Sequence, residues 1–239
     1  MTDKIIGILG GMGPEATLDC FAKIIKNTPA QRDQDHLRVI INSNPRVPDR
    51  TPAIIGDGES PVPAIIEGCR VLERAGADFI IIPCVSAHFF LDDIRLQTRM
   101  PILSIFDAVA EVVSTHRPAL KTVGLLATTG TVQGGLFQKR LFEDGIETIL
   151  PSDAVQAKIM EAIYAIKANG SSRRRPETTA SLVAAAESLL SRKPAGAQAV
   201  VAGCTEIPLA LQQHHLRVPY FDALEILARK AIEYAGMPE

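Results

Sequence analysis

The stretch GADFIIIPC, Gly76–Cys84, and the stretch GAQAVVAGC, Gly196–Cys204, read alike: a Gly-Ala turn, a short apolar run, then a cysteine. An apolar run of that length, without alternation, fits a parallel strand covered on both faces. Apolar runs of this kind lie at Ile5–Leu9, Val39–Ile41, Phe79–Ile82, Val123–Ala127, Ile146–Leu150 and Ala199–Ala202. Helical-period stretches separate them, near 14–27 and 62–75 in the first half, and near 132–144 and 153–168 in the second, with an extra helix near 177–192. Strands alternating with helices predict an α/β fold.

Two further pairs match. KIIGILGGMGP, Lys4–Pro14, aligns with KTVGLLATTGT, Lys121–Thr131, and FDA at Phe106–Ala108 aligns with FDA at Phe221–Ala223, each before an expected helix. With the cysteine-ended pair, the offsets are 117, 120 and 115 residues, in order. One such match would mean little, but three in register imply internal duplication. Two pseudo-symmetric parallel-sheet α/β halves are therefore expected, residues 1–104 with 217–239 and residues 105–216. NPRVPDRTP, Asn44–Pro52, reads as a long loop, a kind of segment that often carries function. GSSRRRP, residues 170–176, reads as a solvated polar loop.

The 239 residues suffice for one large domain or two small ones. A net charge of -2 gives no reason to expect a nucleic-acid or anionic-membrane partner. No apolar run reaches the roughly 20 residues of a membrane helix, and MTDKIIG lacks the layout of a signal peptide. A cytoplasmic, reducing location is expected, with Cys20, Cys69, Cys84 and Cys204 as free thiols. No pair has CxxC spacing and no His/Asp/Glu cluster has metal-ligand spacing, so no metal is expected.

Cys20 and Cys69 fall inside helical patterns and are expected in the core. Cys84 and Cys204 instead end strands, where open α/β sheets bind ligands. A helix expected to start after each would favour thiolate over thiol. If a pseudo-twofold relates the halves, the two thiols can face each other across a cleft. One then removes a proton from carbon while the other delivers one to the opposite face, inverting a stereocentre. Two unrelated buried cysteines that happen to end strands are the alternative that spacing leaves open.

Five segments together resemble the aspartate/glutamate racemase family, in its aspartate racemase and broad-specificity amino-acid racemase branch. They are GGMGPEAT from Gly10, PDRT from Pro48, Pro83-Cys84 with Ala87-His88, GLLATTGT from Gly124, and GCTEIP from Gly203. The resemblance runs from residue 4 to residue 223. It implies an active site between two similar halves, no cofactor, a small amino-acid or dicarboxylate substrate, and a homodimer. It implies that Cys84 and Cys204 are the catalytic pair, one abstracting the α-proton and the other reprotonating. Met12 and Gly13 match the loop that approaches substrate, while Thr205 and the amides around Thr128 and Thr129 match groups suited to the α-carboxylate. Arg50 matches a residue associated with the distal carboxylate, and Lys167 matches a second cation at that end.

One position departs from the family. Where it reads Cys-Asn-Thr, this chain reads Cys84-Val85-Ser86. Ser86 keeps a hydroxyl, but the Val85 side chain neither donates nor accepts. Either another group holds the substrate there, or the substrate is not an ordinary acidic amino acid. The reaction itself needs preorganised donors, because an α-proton is weakly acidic and the resulting enediolate must be stabilised. Retention of both cysteines argues for two-sided proton transfer, since one-cysteine relatives such as arylmalonate decarboxylases need only one donor.

Other readings follow from single features. Gly11, Gly13 and Ala16 match a GxGxxA dinucleotide fingerprint, but the second strand ends IINSN without the acid that would hold a ribose. His88 is either a base for Cys84 or a capping or packing residue. His214 and His215 read as surface residues, and Glu206 as an acid in a helix first turn. A decarboxylase, a hydantoin racemase, a maleate-type isomerase, or a binding protein inactive through Val85 are the alternatives to amino-acid racemisation.

Overall fold

The first sheet is built from strands β1 (Ile6–Gly10), β2 (Val39–Ser43) and β3 (Phe79–Ile81) in a computed structural model describing residues 4–168 and 176–236. Helix α1 (Pro14–Asn27) follows β1, and α2 (Arg50–Ile55) and α3 (Val62–Arg74) precede β3. Helices α4 (Leu91–Arg95) and α5 (Ile105–Thr115) follow it. The second sheet holds β4 (Thr122–Ala127), β5 (Glu147–Ile149), β6 (Ala199–Gly203) and β7 (Tyr220–Asp222). Its helices are α6 (Thr129–Gly134), α7 (Leu136–Glu143), α8 (Asp153–Ala168) and α9 (Pro176–Leu190), and α10 (Ala223–Ala235) closes the order. The chain divides into two units, Met1–Ala108 with Leu224–Glu239, and Val109–Ala223. Residues 173–175, the basic run, lie outside the described residues.

Both sheets are parallel, with strand orders β2-β1-β3 and β5-β4-β6-β7. Burial explains the sequence runs. β1, β3 and β6 are buried at every position, while the edge strands β2, β5 and β7 are only half-buried. Each unit has a core of its own. Leu9, Ile65, Ile80 and Ile94 pack together in the first, and Leu126, Ile163, Leu182 and Val200 in the second. No described helix is long and apolar enough to cross a membrane.

The duplication extends to single hydrogen bonds. In the first unit Asp78 Oδ2 accepts from the Ile5 N–H at 2.6 Å, and the Asp78 N–H donates to the Ile5 carbonyl at 2.9 Å. In the second, Gln198 Oε1 accepts from the Thr122 N–H at 3.1 Å, and the Gln198 N–H donates to the Thr122 carbonyl at 3.0 Å. The helix contacts repeat as well. A Cβ on Gly7 would lie 3.0 Å from Ala77 and 3.3 Å from Leu72 of α3. A Cβ on Gly124 would lie 3.3 Å from Ala197 and 2.9 Å from Leu189 of α9.

That pairing corrects the reading of the helix near 177–192 as the additional one. Helix α9 corresponds to α3, and α8 stands in the order where the short α2 stands in the first unit. Residues 44–52 are likewise not loop throughout, because α2 begins at Arg50. The helix expected over 132–144 is two helices, broken at Gly135 in the left-handed region with φ +69°. The FDA match is not structurally equivalent: Phe221-Asp222 ends β7, whereas Phe106–Ala108 already lies in α5. The true counterparts are Pro101, whose carbonyl accepts from the Ile80 N–H, and Pro219, whose carbonyl accepts from the Val200 N–H.

The Gly124 contact gives a direct check on this packing. Gly124→Ala should cost about 1–3 kcal/mol of stability by overpacking β4 against α9, measured by denaturant unfolding. A variant as stable as the parent would contradict the close approach.

Candidate active site

β1 ends at Gly10, and the chain turns at once through Gly11, whose φ of +94° lies in the left-handed region. A Cβ there would sit 2.3 Å from the carbonyl carbon of Asn44, so glycine alone fits beside the end of β2. Thr17 of α1 fixes the turn: its hydroxyl accepts from the Gly11 N–H at 2.8 Å and donates to the Gly13 carbonyl at 2.9 Å. Met12 is buried between them, and its carbonyl accepts from Arg50 Nη2 at 3.3 Å. Arg50, also buried, donates through Nη1 to the carbonyls of Val47 at 3.2 Å and Pro48 at 2.8 Å. The cation expected at a distal carboxylate is thus engaged with main-chain oxygens of its own loops.

Cys84 leaves β3 4% exposed, with its Sγ 3.5 Å from Ser86 Oγ. No α-helix starts at it. A 3-10 helix, Val85–Phe90, follows, so the Cys84 carbonyl accepts the Ala87 N–H at 3.2 Å rather than opening an α-helical ladder. Its other neighbour is His88 Nδ1 at 3.0 Å. Val85 is buried, presenting only methyl groups where the resemblance expects an amide.

The second unit repeats the layout with different chemistry. Cys204 leaves β6 4% exposed, its carbonyl accepts the Ile207 N–H at 3.1 Å, and a 3-10 helix, Ile207–Leu209, follows. Here the thiol donates to the carboxylate of Glu206, Sγ to Oε2 3.1 Å. Glu206 is buried, takes a 3.4 Å contact from the Thr205 hydroxyl, and is paired through Oε1 with Lys167 Nζ at 3.2 Å. Burial, reinforced by the Glu206 charge, holds the Cys204 thiol well above its ordinary range, against the opposing pull of Lys167. A three-residue 3-10 turn stands where an α-helix was expected behind this cysteine, and Glu206 at its N-cap makes no side-chain capping hydrogen bond.

At the end of β4, Thr128 and Thr131 share a 2.9 Å hydroxyl contact, and the Thr131 N–H donates to Thr128 Oγ1 at 3.2 Å. Gln156 of α8 donates to the Ala127 carbonyl at 2.9 Å and reaches Thr129 Oγ1 at 3.4 Å. The structure therefore joins Met12 with Arg50, Cys84 with Ser86, and Cys204 with Thr205, Glu206 and Lys167. Gln156 is the polar residue of these clusters that the sequence reading did not single out, while Glu206, read as an acid in a helix first turn, instead holds the Cys204 thiol. The visible signal for Glu206 was its place two residues after a strand-ending cysteine, where a 3-10 turn brings the carboxylate back to Sγ. Among the described residues, no group of three or more His, Cys, Asp or Glu side chains could hold a metal ion.

Cys20 and Cys69 are fully buried in α1 and α3, and burial pushes the Cys69 thiol up to about 11. His214 is exposed and His215 half-buried.

His88 yields a stability test. Burial lowers its imidazole from 6.5 to about 4 in the folded protein. Between those values the unfolded chain binds a proton that the folded chain does not. Stability is therefore full above the unfolded value and falls as pH drops from about 6.5 towards 4. From pH 7 to pH 5 this contributes a loss of about 2 kcal/mol. Urea unfolding should show a drop smaller by about that amount in His88→Asn, whereas equal drops would contradict a buried neutral imidazole.

Residues 9–231 match the Asp/Glu/Hydantoin racemase family. Broad specificity amino-acid racemase RacX of Bacillus subtilis (strain 168) is 30% identical over 235 residues, covering 95% of this chain and 96% of RacX. Picrophilus torridus aspartate racemase is 32% identical with a TM-score of 0.84, over 98% of this chain and 94% of that one. An aspartate racemase homologue from Pyrococcus horikoshii OT3 is 31% identical with a TM-score of 0.77, over 98% of this chain and 100% of that one. Two units built to one plan, each with a cysteine shortly after the corresponding strand, share their sequence and fold with these proteins along nearly the whole length, and the chain belongs to the Asp/Glu/hydantoin racemase family.

Proposed function

We propose that the protein is a cofactor-independent amino-acid racemase that uses Cys84 and Cys204 as its two proton-transfer groups. The observation that carries this reading is the matched placement of the two thiols. Each leaves a corresponding parallel strand, is 4% exposed, and has one hydroxyl or carboxylate neighbour, Ser86 at 3.5 Å or Glu206 at 3.1 Å. A thiolate takes the α-proton, leaving an enediolate, and the thiol of the other cysteine returns a proton to the opposite face. The two then stand with exchanged protonation, ready for the reverse direction. Gly13, Ser86, Thr128, Thr129 and Thr205 are the candidates for holding the α-carboxylate and ammonium groups as charge develops.

Substrate choice follows from what already occupies the cations. Glu206 is a buried carboxylate paired with Lys167, and drawing Lys167 towards a substrate would work against that pair. Arg50 is spread over three carbonyls, and Val85 offers no polar atom. These features support a substrate range that includes amino acids with neutral or basic side chains beside aspartate and glutamate. Assembly as a homodimer in the cytoplasm belongs to the same reading.

Incubation with L-amino acids in D2O, without pyridoxal phosphate, should give α-deuteration and the D-enantiomer of at least one of them. Cys84→Ser and Cys204→Ser should each lower racemisation by about 10²–10⁴-fold. No exchange across acidic, neutral and basic substrates, or exchange indifferent to both substitutions, would overturn the assignment. Val85→Asn should raise activity on aspartate relative to the parent's preferred substrate. An unchanged ratio would remove Val85 from substrate selection.

A further inference from the structure

The two cysteine turns share a backbone plan but not their side chains, and one difference lies four residues after each cysteine. Residue 88 is a histidine, and its counterpart 120 residues later is Pro208. His88 is 2% exposed, with Nδ1 3.0 Å from the Cys84 carbonyl and Nε2 3.4 Å from the Leu103 carbonyl. Its ring stands edge-on to Phe106, centroids 6.0 Å apart at 80°.

The edge pairing beside this turn is shorter in the first sheet than in the second. There, β7 pairs with β6 over three residues, and Gln213 secures it by accepting from the Tyr220 N–H at 2.9 Å and donating to the Val218 carbonyl at 2.9 Å. In the first unit the corresponding segment makes one isolated bridge, Ile80 to Ile102. His88 spans from the cysteine turn to the residue just after that bridge.

A neutral imidazole has one N–H for two facing carbonyls. The charges acting on the ring are opposed, Arg95 and Asp107, so neither compels a cation, and burial disfavours one. A proton placed on the shorter contact gives the Nδ1–H tautomer, with Nε2 bare towards Leu103.

We propose that His88 is the positioning residue of Cys84: its Nδ1–H fixes the Cys84 carbonyl, and with it the main chain from which the thiol projects. This rests on Cys84 being one of the two proton-transfer groups. His88 itself moves no proton in the reaction. An asparagine amide can replace Nδ1–H at nearly the same place, whereas a glutamine amide reaches only the position of Nε2.

The test joins a spectroscopic and a kinetic reading on the full chain. Imidazole ¹⁵N shifts at pH 7 should show one neutral Nδ1–H ring that disappears in His88→Asn. A His88 ring that is cationic or Nε2–H overturns the proposal without any variant having to turn over. His88→Leu and His88→Gln should lose about 10²-fold in kcat with KM nearly unchanged, and His88→Asn should recover most of it. Equal kcat per folded molecule in all three would reduce His88 to packing and sink the proposal. Iodoacetamide labelling resolved by mass spectrometry separates this from the racemase reading. The rate at Cys84, relative to Cys204, should change in the leucine and glutamine variants and not in the asparagine variant, whether or not any amino acid is turned over. An unchanged ratio contradicts the clamp, while a changed ratio in a protein that exchanges no α-proton upholds the clamp and dismisses the racemase.

Discussion

Parallel strands covered by helices on both faces have only their ends for chemistry. β1, β3 and β6 are buried at every position and β4 at every position but Thr122, so their lengths offer little polar surface. Polar atoms can gather only where these strands stop. That is where Met12 and Gly13, Cys84, Thr128 and Thr129, and Cys204 all stand. The tightness of the layers enforces it. Gly7 and Gly124 admit α3 and α9 at distances a methyl group would violate, so the helices lie directly on the sheets.

Duplication supplied two copies of this arrangement, and the differences between the copies carry the chemical meaning. Cys84 has a hydroxyl beside it and a buried histidine behind its carbonyl. Cys204 has a carboxylate at its sulfur, itself held by a lysine. Burial and that carboxylate favour the protonated thiol at Cys204, so the copies are unequal before any substrate arrives. In the proposed reaction a protonated Cys204 is the donor of the first turnover. The opposite direction requires the Cys204 proton to leave first.

Much of this was legible in the sequence because burial writes a strong signal. Continuous apolar runs located six of the seven strands to within two residues, and the matched cysteines followed from the repeat. The omissions have local causes. Helix α2 was hidden by Pro52, although a proline in a first turn is compatible with a helix and Asp49 is a good cap. The 3-10 turns after the cysteines were masked by apolar residues that suit either kind of helix. Glu206 suits a helix dipole only if an α-helix follows Cys204, and the turn there is 3-10. The tie from His88 to Leu103 spans 15 residues, a short helix and a loop, a separation at which no periodic pattern exists.

The central claim is that two thiols act on opposite faces of one carbon. It is tested most directly by following where solvent deuterium enters at low conversion. In a two-thiol reaction the proton that leaves is not the one that returns. The newly formed enantiomer should therefore carry full α-deuterium while the remaining substrate carries almost none. Deuterium appearing equally in both enantiomers, or the original proton surviving in the product, would contradict the account.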